Sequence, residues 1–187
     1  MEKRPLLVFA ILALIPIQIF AHGGHGTGFT AGITHPIFGI DHLVAIIGIG
    51  VMGFTVLKEK KWLPSLVFIL SMVIGGFLGI KSEAFKVTEW MIVGSVLISG
   101  LILALDFKMS SILYISLAAI FGFFHGHAHG TEMPQDSNIP LYILGFVIGA
   151  TLLSMIGMNI SKYSKSPLQI KLIGAFIFGM GAMMILG

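Results

Sequence analysis

Apolar residues in this chain fall into long uninterrupted runs separated by short polar breaks. Six of these runs are close to the ~20 residues that cross a ~30 Å hydrocarbon core as a helix. They cover positions 36–57, 62–80, 88–105, 110–130, 139–160 and 168–187. Barrel strands alternate polar and apolar over ~10 residues, which these runs do not. Helices are therefore the expected elements, because lipid leaves every backbone group to be satisfied within the segment. A seventh apolar stretch, at 6–20, contains Pro16, is preceded by Lys3 and Arg4, and is followed by Ala21. It is short for a span and has the layout of a signal peptide over 1–21. An uncleaved anchor helix is the alternative. The expected architecture is all-α: a single six-helix transmembrane domain over 22–187.

Composition agrees with the pattern. Hydrophobic residues make up 56% of the 187 positions and charged residues 10%, against about 25% charged in soluble domains. Cytoplasmic ends attract Lys and Arg. With the loop after the first run placed in the cytoplasm, that side carries Lys58, Lys60, Lys61, Lys108, Lys162, Lys165 and Lys171. The other side carries Lys81 and Lys86. The same orientation follows from a leader that exports what comes after it. Basic residues confined to short loops speak for topology and against nucleic acid. The expected setting is a membrane, with the lipid bilayer as partner; the sequence leaves a homo-oligomer open.

Small residues recur at four-residue spacing: Ala118, Gly122, Gly126 and Gly130 on the fourth run, Gly75 and Gly79 on the second, Gly145 and Gly149 on the fifth. Such stripes let helix backbones approach closely. They predict a compact bundle and carry no information about a ligand. Three runs per half would invert one half relative to the other, as in many transporters.

The chemistry lies in the histidines. All seven fall in two places: His22, His25, His35 and His42 ahead of or within the first run, and His125, His127 and His129 at the end of the fourth. The assigned topology puts both groups on the non-cytoplasmic side, with Asp41 in the first and Glu132 in the second. On a helix, His125, His129 and Glu132 fall within about 60° of one another, whereas His127 points about 200° away from His125. A histidine pair at this spacing can hold one metal ion. Glu132 would add an oxygen or orient a ring. His127 fits better as a relay or neighbour contact. Pro36 suits a first helical turn, which would put His35 at the helix mouth and Asp41 and His42 one to two turns deeper. A charged Asp at that depth costs ~2.5–3.5 kcal/mol on insertion scales and needs a partner. A divalent cation is one partner, and a protonated histidine tying two helices together is another.

There is no cysteine, so a metal site must use nitrogen and oxygen. Imidazole suits Zn, Cu, Fe, Ni and Co, and mixed nitrogen and oxygen ligation fits Ni(II) or Co(II), but affinity does not choose among the divalent transition metals. His22 and His25 would form a capture site near the new N-terminus if the leader is cut after Ala21. Glu89, next to Trp90, is either part of an access path or a headgroup contact. The eleven Met residues are scattered packing material.

The motif His35-x5-Asp41-His42 in the first run, with Phe124-His125-Gly126-x-Ala128-His129-Gly130-x-Glu132 closing the fourth, resembles the HupE/UreJ family of nickel permeases. The leader and the six following runs match that family as well. The resemblance implies secondary uptake of Ni2+, or of Co2+, handled at His35, Asp41, His42, His125, His129 and Glu132. His127 occupies the variable position of the second motif and adds a possible ligand. No prosthetic group and no catalytic residue are expected. No Walker-type loop is present, so ATP is not a substrate. The rival expectations are a membrane zinc hydrolase with its site on the outer face, and a purely structural membrane protein.

Overall fold

A computed structural model describes residues 26–83 and 85–186. The expected leader over 1–21, and with it His22 and His25, lies outside the described residues. Those residues form seven α-helices: α1 (Phe29–Phe38), α2 (Ile40–Leu57), α3 (Leu63–Gly79), α4 (Lys86–Ala104), α5 (Ser111–Thr131), α6 (Ile139–Tyr163) and α7 (Pro167–Leu186). A short 3-10 turn, Lys58–Lys60, follows α2. Five helices (α2, α4, α5, α6 and α7) are long and apolar enough to cross a membrane, and α3, with 17 residues, is shorter.

The first apolar run departs from expectation. It does not begin a helix at Pro36. A separate helix, α1, starts at Phe29, and Pro36 lies inside it near its C-terminal end. Gly39 then turns to an extended conformation, its N–H bonding the His35 carbonyl, before α2 begins at Ile40. His35 is therefore in the last turn of α1 and Asp41 in the first turn of α2, not one to two turns deeper in the same helix. The physical reason is local. Gly39, a poor helix former, interrupts the ladder. Asp41 restarts it, its carboxylate accepting from the His42 N–H at 2.8 Å, and an acidic group is favourable at a helix N-terminus.

The small-residue stripes bring backbones together in three pairs. In α3–α5, Gly126 lies against the Met72 backbone, Gly122 against Phe68 and Gly79 against His127. These helices run parallel. Helices α1 and α2, end to end, run parallel to α6, with Gly145 on the Phe29 and Ile33 backbone and Gly157 on Ile47 and Val51. Helices α4 and α7 run antiparallel, with Gly100 on Phe178 and Gly174 on Ala104. A side chain at most of these glycines would collide with neighbouring backbone, which cannot swing aside. Polar ties cross the bundle as well: Tyr114 Oη donates to the Ile49 carbonyl at 3.0 Å, and Ser154 Oγ to Ser65 Oγ at 2.5 Å.

Exchanging α2 with α5, α3 with α6 and α4 with α7 turns the α3–α5 pairing into α2–α6 and returns α4–α7 to itself. The helix directions survive the exchange. The principal pairings thus have the form of an inverted three-helix repeat. The sequence echoes it once: Ile37-Phe38-Gly39 followed by His42 recurs as Ile120-Phe121-Gly122 followed by His125.

The outer surface is apolar. Leu66, Leu70, Ile74 and Phe77 are all exposed along α3, and α4 to α7 show similar faces. So continuous an apolar surface has no stable place in water; with the five long apolar helices, it marks a multi-pass membrane protein.

Candidate metal centre

The break at Gly39 and the end of α5 meet at the end of the bundle opposite the lysine-rich loops. His42 from α2 and His129 from α5 are both buried, and half-buried His35 from α1 closes over them. One ligand atom from each of His35, His42 and His129 lies within 4.8 Å of the others. Two nitrogens bound to one ion at ~2.1 Å stand roughly 3 to 4.2 Å apart. A contraction of at most ~2 Å would bring the trio onto a single ion.

Carboxylates orient two of the three rings. Asp41 Oδ1 is 2.8 Å from His42 Nδ1, and Glu132 Oε2 is 2.8 Å from His35 Nε2. A carboxylate only accepts, so these ring nitrogens carry the proton. The other nitrogen of each neutral ring is then a lone pair. His42 Nε2 and both ring nitrogens of His129 are buried without a hydrogen-bond partner. Buried polar atoms are normally satisfied, and histidines steadied by carboxylates with free lone pairs are typical of metal ligands. The donor set therefore fits a borderline divalent cation.

His129 is fixed from behind. Its ring stacks on Phe146, 5.3 Å between centroids and 9° from parallel. Tyr142 Oη donates to its carbonyl at 2.9 Å. Gly39 lets the Asp41–His42 pair tuck beneath α1, because a Cβ there would stand 3.3 Å from Asp41 Oδ1 and 3.1 Å from the His35 carbonyl. Glu132 sits just past the end of α5. Burial pushes its carboxyl up, but the hydrogen bond from His35 works against that, and on balance the group lies below its ordinary value.

The other expected site residues take distinct places. His125, fully buried one turn before His129 on α5, is outside the trio but packs on His42, with ring centroids 5.0 Å apart. His127 faces away, with Nε2 2.8 Å from Ser82 Oγ, Nδ1 3.1 Å from Thr88 Oγ1 and its ring stacked on Phe85. Both its nitrogens are engaged in holding the α3–α4 loop and the first turn of α4 to α5. Glu89 is exposed and shares with Asp41, Glu132, Thr88 and Thr131 the wall of a cavity of about 130 Å³ beside the cluster. A larger cavity, about 740 Å³, opens at the opposite end, where Lys108, Lys165 and Lys171 reach its walls. There Lys108 bonds Asp106 at 2.6 Å and holds that carboxyl below the usual range.

Sequence reasoning did not single out Ser95, Tyr142 or Phe146. Hydroxyls and aromatics within apolar helices carry no motif, and only their packing on histidine marks them.

A histidine cluster flanked by carboxylates, set at one end of an apolar helical bundle, marks a multi-pass membrane protein with a candidate metal centre. A profile of the HupE / UreJ protein family matches residues 10–184, and the chain belongs to that family. It is 32% identical over 154 residues, 81% of each chain, to Protein HupE of Rhizobium leguminosarum bv. viciae. No solved structure matches the chain.

Proposed function

We propose that the protein is a permease that takes up a divalent transition-metal cation, Ni2+ or Co2+, across the bacterial inner membrane. The observation that carries this reading is the trio His35, His42 and His129, two of them buried, with two rings steadied by Asp41 and Glu132. In this reading α1 and α2 together form the first of six spans, and α3, ~26 Å long at 17 residues, is the shortest. The histidine end faces outward, in keeping with the excess of lysines at the other end. A signal peptide precedes the bundle.

A hydrated cation reaches the small acidic cavity walled by Asp41, Glu89 and Glu132, exchanges water for imidazole at the trio, and passes inward through the bundle. The membrane potential supplies ~2.3 kcal/mol per charge per 100 mV, roughly twice that for a divalent ion. Membership of the HupE / UreJ family supports transport over hydrolysis, and nothing favours the zinc hydrolase.

The test is uptake of radiolabelled nickel into cells expressing the wild type or His129→Ala, with unlabelled Co2+ and Zn2+ as competitors. Saturable uptake, lost in the variant, is expected, and the competitor ranking sets the selectivity. No uptake above background by wild-type protein present in the membrane refutes the reading.

A further inference from the structure

Ser95 is almost completely buried on α4, and its hydroxyl meets His125 across the helix interface. Ser95 Oγ lies 2.9 Å from His125 Nε2 and 2.6 Å from the Ile92 carbonyl. A serine hydroxyl has one proton to donate. The Ile92 carbonyl can only accept and is the nearer partner, so it takes that proton. The Ser95 oxygen is then left to accept from His125 Nε2–H. A neutral imidazole protonated at Nε2 carries its lone pair on Nδ1, and His125 Nδ1 is buried without a hydrogen-bond partner. The reverse arrangement would put an N–H at Nδ1 with no acceptor and close that atom to a cation.

We propose that Ser95 is a positioning residue: it holds His125 in the Nε2–H form so that Nδ1 serves a second station for the ion, beneath the trio. His42 links the stations, since its ring packs on His129 at 4.5 Å and on His125 at 5.0 Å between centroids. His125 is four residues from His129 on α5, ~6 Å closer to the lysine-rich end. An ion released by His35 would thus pass to His42 and His125 without returning to water. Ser95 stands to His125 as Asp41 stands to His42 and Glu132 to His35. It is the one neutral member of the three, so it fixes the ring without adding charge to the deeper station. The proposal rests on the transport reading.

The closing experiment compares wild type with Ser95→Thr and Ser95→Val, which match each other in shape and differ only in the hydroxyl. Uptake kinetics for Ni2+ are measured in cells at equal membrane abundance. In parallel, long-range 1H–15N NMR of histidine-labelled wild type in micelles reads which nitrogen of His125 bears the proton, the signal being assigned by its loss in His125→Ala. The His125 proton is expected on Nε2. Relative to Ser95→Thr, Ser95→Val should lose ~10-fold in maximal rate, the lower end of the effect of removing a ligand's orienting partner, with the half-saturating concentration changed less than ~2-fold. A proton on Nδ1, or equal maximal rates in the two variants, overturns the proposal. If both variants fail to reach the membrane, the wild-type NMR alone decides. If wild type itself does not take up nickel, the transport reading fails, while the tautomer is still read.

Discussion

Replacing Asp41 by asparagine removes one negative charge and leaves the shape almost unchanged. The amide carbonyl of the Asp41→Asn variant can still accept from His42 Nδ1 and from the His42 N–H, both 2.8 Å from Asp41 Oδ1 in the wild type. What is lost is the pull of the carboxylate on an ion bound at His42 Nε2. The path from Oδ1 through the imidazole to such an ion is ~7 Å: 2.8 Å to Nδ1, ~2.1 Å across the ring and ~2.1 Å to the metal. At an effective dielectric of 20, a unit charge and a divalent ion at ~7 Å attract by ~4.7 kcal/mol. The amide dipole and solvent relaxation recover part of this. Loss of an orienting partner costs roughly 10–100-fold in affinity or activity, or ~1.4–2.8 kcal/mol. The two figures bracket the expected loss, and ~100-fold weaker Ni2+ binding is the prediction. Calorimetric titration of purified wild type and Asp41→Asn with Ni2+ measures it, with thermal unfolding as the control for folding. Binding within ~3-fold of wild type would refute the reasoning, because it would mean that no cation sits on the far side of His42.

Gly126→Ala should reduce the amount of folded protein, since its Cβ would run into the Met72 backbone and overpacking of this kind costs about 1–3 kcal/mol or more. Gly94→Ala, with open space around its Cβ, should be neutral or slightly stabilising; thermal melts in micelles compare the pair, and equal stability would show that α3 and α5 do not pack as described. His127→Ala should lower stability by about 1–3 kcal/mol through the loss of two hydrogen bonds, one buried and one partly buried, yet leave Ni2+ affinity within ~3-fold. A tenfold loss of affinity in the same calorimetric assay would instead make His127 a ligand.

Much of this protein was legible in its sequence, because lipid permits few solutions. Runs of about twenty apolar residues can only become helices. The stripes at Gly75, Gly79, Gly122, Gly126, Gly145 and Gly149 announced close packing, but not their partners: that α3 pairs with α5 and α6 with α2 is a property of three-dimensional assembly. The helical period placed His125 and His129 on one face and His127 on the other, since angular position follows from rise and pitch alone. The break at Gly39 was not legible, because Pro36 is compatible both with a helix start and with a helix about to end. Neither was the division of labour among His35, Asp41, His42 and Glu132. Residue type says which atoms can bind a cation; only the packing of α1, α2 and α5 decides which carboxylate holds which ring. Ser95 is the extreme case, an unremarked hydroxyl in an apolar helix whose role exists only because α4 lays it against His125.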